Sequence, residues 1–152
     1  MLNTTLTYIE KDGAYLMIHR VKKKDDINKD KWLGIGGKFE DGESPFDCAR
    51  REIKEECGFT VKELSYRGIV TFVSARYPTE YMHLFTAKET EGQINYNCEE
   101  GMLEWVDKTK IESLPIWEGD KIFFKLLECE NRFFSLKLCY EGERLVAHTL
   151  EL

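Results

Sequence analysis

In the stretch "GGKFEDGESPFDCARREIKEECGF", residues 36–59, five glutamates and two aspartates surround two adjacent arginines. Glu52, Glu55 and Glu56 stand at i, i+3 and i+4, a spacing that brings three carboxylates into one sector of a helix. Like charges this close repel unless water solvates each one or a cation neutralises the group. A solvated face is the ordinary arrangement for an acidic helix. Arg51 and Glu55, four residues apart, would then form a surface pair worth roughly a few tenths of a kcal/mol. The other arrangement is a site for a hard divalent cation, which takes carboxylate, carbonyl, phosphate and water oxygens in near-octahedral geometry.

The residues ahead of the helix separate these two readings. Gly37 is followed by five residues and Glu43, then by seven residues and Arg51-Glu52-Ile53-Lys54-Glu55-Glu56-Cys57-Gly58-Phe59. This series resembles the Nudix hydrolase box, G-x5-E-x7-R-E-U-x-E-E-x-G-U with U a bulky apolar residue, at every fixed position. Phe59 is a variant of the last aliphatic. Seven fixed residues, each met by chance about once in fifteen, coincide on the order of once in a hundred million windows. The resemblance implies an enzyme that hydrolyses a diphosphate linkage with Mg²⁺, or Mn²⁺ in its place. By position, Gly36 would offer a backbone carbonyl to the metal, and Glu52, Glu55 and Glu56 would be helix ligands or the general base. Glu56 is the first choice for that base and Glu52 the second. Arg51, one turn before Glu55, would orient a glutamate. A cation there would offset the carboxylate repulsion, neutralise phosphate charge and acidify a bound water.

A second layer of resemblance lies outside the box. "KWLGIGGKFEDGES", "EEGMLEW", "WEGD" and the closing "HTL" are similar to the MutT-type branch that hydrolyses oxidised purine nucleoside triphosphates. This implies a nucleoside triphosphate such as 8-oxo-dGTP as substrate, cleaved to the monophosphate and pyrophosphate. It places Glu100 as a downstream acidic metal ligand, with Thr5, Arg20, Gly37 and Lys38 near substrate. Trp117 would stack on the purine while Asp120 hydrogen-bonds its edge. An aromatic plane stacks on any base, whereas a carboxylate discriminates by edge pattern. Oxidation at C8 turns the N7 acceptor of guanine into a donor, which a carboxylate would prefer. Two positions depart from the branch. Leu33 stands where a base-recognising asparagine is expected, and Gly119 replaces the first of two pocket aspartates, with Glu118 beside it. Two alternatives remain open: a Nudix pyrophosphatase acting on ADP-ribose or another nucleoside diphosphate derivative, and a non-catalytic nucleotide-binding module.

The rest of the chain must position these groups. Its 152 residues fit one domain, and 42% hydrophobic and 33% charged residues are globular proportions. A net charge of −6 disfavours nucleic-acid polymers and anionic membranes as partners. No apolar run approaches the ~20 residues of a membrane span and no leader pattern opens the chain, so a cytoplasmic protein is expected. The five cysteines form no C-x-x-C pair, which excludes a thiolate zinc site. His19, His83 and His148 show no ligand spacing. Met17, Met82 and Phe123, Phe124, Phe133 and Phe134 read as packing residues.

Asp12-Gly13 suits a tight hairpin turn, predicting strands near 3–10 and 14–20. The polar run "VKKKDDINKD" is a loop, and "KWLGIGGK" is a short strand entering a glycine turn. Ser44, Pro45, Asp47 and Gly58 supply start and stop signals for a helix over 45–57, with Phe46, Ala49, Ile53 and Cys57 on its apolar face. Further strands are predicted at 65–74, 80–88, 102–107, 132–140 and 144–152, with a helical turn near 108–113 and a helix over 119–130. The pattern is α+β, and with the family resemblance it implies an α/β/α sandwich around a mixed central β-sheet. A single domain over residues 1–152, monomeric or homodimeric, is expected.

Overall fold

Asp12 and Gly13 both take positive φ, 51° and 76°, as a two-residue hairpin turn requires. They join β1 (Leu2–Lys11) to β2 (Ala14–His19) in antiparallel register, Ile9 opposite Leu16. A computed structural model describes residues 1–96 and 98–152 of the chain. After the polar loop comes β3 (Trp32–Leu33), paired with β2, and then the glycine turn.

The helix α1 (Pro45–Cys57) begins and ends where its capping residues dictate. The Ser44 hydroxyl accepts from the Asp47 N–H at 3.1 Å, and the Asp47 carboxylate accepts from the Ser44 N–H at 3.0 Å. This reciprocal box satisfies two otherwise orphaned donors. Gly58, at φ 80°, closes the other end by donating to the Lys54 carbonyl. Ala49, Ile53 and Cys57 are buried as the apolar stripe requires, but Phe46 is not. Its ring lies at the rim, edge-on to Tyr66 and Phe85, and is 36% exposed. Cys48 is buried instead, on the side where the glycine turn folds back over the helix.

The chain then forms β4 (Thr60–Ser74), β5 (Glu80–Glu91), β6 (Met102–Asp107), a 3₁₀ turn (Lys108–Ser113), α2 (Asp120–Cys129), β7 (Phe134–Glu141) and β8 (Arg144–Glu151). β4 starts five residues before the expected strand, directly after Gly58. Phe133 lies outside β7 and is 48% exposed, while Phe123, Phe124 and Phe134 are buried. Among the described residues all eight strands join one sheet of order β3-β2-β1-β5-β4-β7-β8, with β6 on β2. The β1–β5 and β4–β7 pairs are parallel and the others antiparallel, so the sheet is mixed.

Alternation along β1 divides the interior. Ile9 points into a cluster with Ile18, Ile35, Ile53 and Phe59 beneath α1, while Leu6 and Tyr8 join Phe72, Phe123, Phe134 and Leu136 beneath α2. The two helices therefore cover opposite faces of the sheet, an α/β/α sandwich.

Candidate active site

The glycine turn lies flat against β1. Thr7 and Ile35 exchange backbone hydrogen bonds, and the Thr5 N–H donates to the Gly37 carbonyl at 2.9 Å. A Cβ on Gly36 would stand 1.8 Å from the Thr5 carbonyl oxygen, and one on Gly37 would stand 2.5 Å from a Glu52 carboxylate oxygen. Neither position can carry a side chain without displacing backbone or carboxylate. The turn is thus pressed between β1 and α1, and consecutive helical turns of α1 present Glu52 and Glu56 to it. The Gly36 N–H donates to Glu56 Oε2 at 3.2 Å.

Arg51 organises the surrounding carboxylates. Nε and Nη2 donate to both oxygens of Glu43 at 2.7 and 2.9 Å, Nη1 to Glu52 at 2.8 Å and to Glu55 at 3.2 Å, and Nη2 also to the Lys38 carbonyl at 3.0 Å. This fork-shaped pairing holds the Glu43 carboxyl down at about 2. Arg51 therefore ties helix to loop and fixes Glu52, and its donors are committed to protein oxygens. Glu55, with its side chain 57% exposed, pairs with Arg51 at 3.2 Å on the outer side of the helix.

Glu56 behaves differently. Burial first, and then the charges of Glu52 and Glu100, push its carboxyl up to about 8. Burial likewise raises Glu52, opposed by Arg51. Glu100, reached from the loop before β6, is paired with Arg20 at 2.9 Å and Lys23 at 3.4 Å, and Arg20 also holds Asp26 at 2.8 Å. Glu52 and Glu100 thus both act to raise the Glu56 carboxyl, opposed less strongly by the Gly36 N–H and Arg20.

Among the described residues no three His, Cys, Asp or Glu side chains converge closely enough to enclose an ion unaided. The side chains about Glu56, those of Glu52 and Glu100, offer carboxylate oxygens, the donor class that a hard divalent cation takes.

Beyond the glycines a cavity of about 150 Å³ opens on the α2 face of the sheet. Its wall includes Gly36, Gly37 and Arg20 together with Trp117 and Asp120, and also Thr4, Leu33 and Met82. Met82, read from sequence as packing, does pack against the core and borders the cavity as well. Trp117 is 7% exposed, edge-on to Phe72 and Tyr140, with the Lys31 ammonium 4.8 Å above its ring. Asp120, 4% exposed at the start of α2, has one carboxylate oxygen without a hydrogen-bond partner. Burial pushes its carboxyl up to about 8, partly countered by Lys31.

The residues expected near substrate divide in three. Arg20, Leu33, Gly37, Trp117 and Asp120 border the cavity. Thr5 borders it as well, but its hydroxyl lies 3.5 Å from Cys48 Sγ on the α1 side, and it is Thr4, its neighbour in the alternation, that belongs to the cavity face. Lys38 is exposed and does not border the cavity; its contribution is the carbonyl that receives Arg51. The wall also contains groups with no sequence motif: Asn28, whose Oδ1 accepts the Trp117 indole N–H at 2.7 Å, and Tyr140, whose hydroxyl accepts the Gly119 N–H at 2.8 Å. A Cβ at residue 119 would stand 2.5 Å from Leu138 Cδ1 and 2.7 Å from that hydroxyl, so Leu138 and Tyr140 occupy the space that a side chain at 119 would need. Only long-range strand pairing brings residue 140 there.

Comparison with known proteins gives a consistent setting. The NUDIX domain family matches residues 4–127. An oxidized purine nucleoside triphosphate hydrolase of Danio rerio is 32% identical over 149 residues, covering 97% of this chain and 92% of that protein. A protein of the same description from Mus musculus is 33% identical over 130 residues, covering 84% and 82%. The crystal structure of the mutator MutT protein of Bacillus halodurans superposes with a TM-score of 0.87 at 28% identity, over 99% of this chain and 98% of that one.

Proposed function

The chain belongs to the Nudix family, and from that premise we propose that it hydrolyses a nucleoside triphosphate to the monophosphate and pyrophosphate, with an oxidised purine such as 8-oxo-dGTP as the base. The observation that carries this reading is one cavity whose wall includes both the Gly36–Gly37 backbone, beside Glu52 and Glu56, and a buried aromatic–carboxyl pair, Trp117 and Asp120. A phosphate chain lying beside that backbone would place its base against Trp117. The two relatives named for this activity support the choice of substrate.

Bound Mg²⁺, or Mn²⁺, would supply charge neutralisation for the phosphates and acidify a coordinated water. Gly36, Glu52, Glu56 and Glu100 would hold it. Arg51 fixes Glu52 and Glu43 against the loop. Glu56, buried beside Glu52 with one oxygen on the Gly36 N–H, accepts the proton of the attacking water in the metal-bound state. Water oxygen bonds to phosphorus, the α–β anhydride bond breaks, and pyrophosphate leaves. Arg20, in the cavity wall and held by Asp26 and Glu100, adds positive charge beside the phosphates, and Trp117 stacks on the base.

The test is a steady-state panel with Mg²⁺ comparing 8-oxo-dGTP, dGTP, ATP and ADP-ribose, with released pyrophosphate and orthophosphate measured separately. The expected result is highest kcat/KM for the oxidised purine triphosphate with pyrophosphate as product, and a loss of about 10²–10⁴ in kcat for Glu56→Gln. Comparable turnover of ADP-ribose without preference for the oxidised base would replace this reading with a nucleoside diphosphate pyrophosphatase. Wild-type turnover by Glu56→Gln would remove Glu56 as the base.

A further inference from the structure

The loop between β2 and β3 is charged and carries no motif, yet it places Asn28 in the wall of the cavity. That residue is held from two sides: its backbone N–H donates to Asp26 Oδ1 at 3.0 Å, and its Oδ1 accepts from Trp117 Nε1 at 2.7 Å. An indole nitrogen only donates, so it decides which way the amide faces: oxygen toward Trp117, NH₂ away. Among the described residues that NH₂ has no protein partner. Leu33 in the same wall offers no polar side chain, and one buried Asp120 oxygen there has no hydrogen-bond partner.

We propose that Asn28 is a specificity-determining residue: its side-chain NH₂ donates to a ring carbonyl on the edge of the base, so that the pocket selects oxopurines over aminopurines. The proposal rests on the nucleoside triphosphate reading above. A 6-oxopurine presents a carbonyl acceptor where a 6-aminopurine presents N–H donors. The amide donor pairs with the first and opposes the second, leaving two donors desolvated and unsatisfied. Trp117 does not need Asn28 to hold its place, because Phe72, Tyr140 and Lys31 pack its ring on other sides. The amide is therefore free to serve the ligand.

Asn28→Asp tests this with one atom changed. The aspartate keeps an oxygen for the Trp117 indole and turns the cavity-side donor into an acceptor. The measurement is the ratio of kcat/KM for 8-oxo-dGTP to that for 8-oxo-dATP, with Asn28→Ala as the variant lacking both groups. The wild type is expected to favour the 6-oxo substrate. Asn28→Asp should lower the ratio by about tenfold or more, chiefly through KM. Asn28→Ala should lower it without improving 8-oxo-dATP. Calorimetric binding of 8-oxo-dGMP and 8-oxo-dAMP to wild type and Asn28→Asp reads the same preference without catalysis. An absence of triphosphate turnover would thus sink the activity and still leave the base preference measured. A ratio unchanged by Asn28→Asp in binding, with thermal melting like the wild type, overturns the proposal.

Discussion

At the scale of single residues, the same physical cause, burial of an acid without enough countercharge, acts on Glu56 beside the glycine turn and on Asp120 in the cavity wall. Glu56 is raised among other carboxylates, where a cation can relieve it. Asp120 is raised against apolar walls, where none of the box glutamates reaches. A carboxyl whose folded-state value lies near 8 against an ordinary 3.8 is neutral in the folded protein at pH 6. Its favourable contribution is complete below about pH 4 and is lost as pH rises through about 8, because the unfolded chain then carries a charge that the fold resists. Thermal melts from pH 6 to 9 should show stability falling, by at most about 1.4 kcal/mol per pH unit for this one group. Asp120→Asn should show a shallower fall. Glu56 contributes with the same sign in both proteins, so the difference between them isolates Asp120; parallel curves would mean that Asp120 ionises freely.

At the scale of elements, the site depends on the turn at residues 34–38 being thin enough to pass between β1 and α1. Gly36→Ala tests this directly. Its Cβ would meet backbone atoms of Thr5, which cannot rotate away as a side chain can, so the turn must lift off the strand. The expected outcome is a loss of roughly 1–3 kcal/mol in stability, measured by denaturant unfolding, and a larger proportional loss of activity as the Glu56 contact to the Gly36 N–H is displaced. Unchanged unfolding and activity would show that the turn is not confined in this way. Local signals located this element well. Ser44, Pro45, Asp47 and Gly58 set both ends of α1 because capping acts within one turn of chain. They did not foresee that Phe46 would sit at the rim and Cys48 inside, since the glycine turn, not the helix's own stripe, covers Cys48.

At the scale of the whole molecule, carboxylates from α1 and from the loop before β6 come together only because β2 pairs with both β1 and β6. The repulsion so created should make the folded protein a cation receptor. Millimolar Mg²⁺ or Mn²⁺ is expected to raise the melting temperature by several degrees at pH 8. The shift should be smaller at pH 6, where Glu56 is protonated and binding must release its proton. No shift at either pH would show that the carboxylates do not hold an ion. The sequence by itself determined the diphosphate chemistry, because box spacing, capping and hairpin turns are consequences of neighbours along the chain. It also supplied Trp117 and Asp120 through resemblance. Tertiary structure alone decided which oxygens meet: Glu55 turned outward to Arg51, the Thr5 hydroxyl turned to the α1 side with Thr4 on the cavity face, and Asn28 and Tyr140 brought into the wall. The reason is that side-chain direction in a sheet follows register, and register between β1, β5, β4 and β7 is fixed by pairings between residues far apart in sequence, which no local pattern encodes.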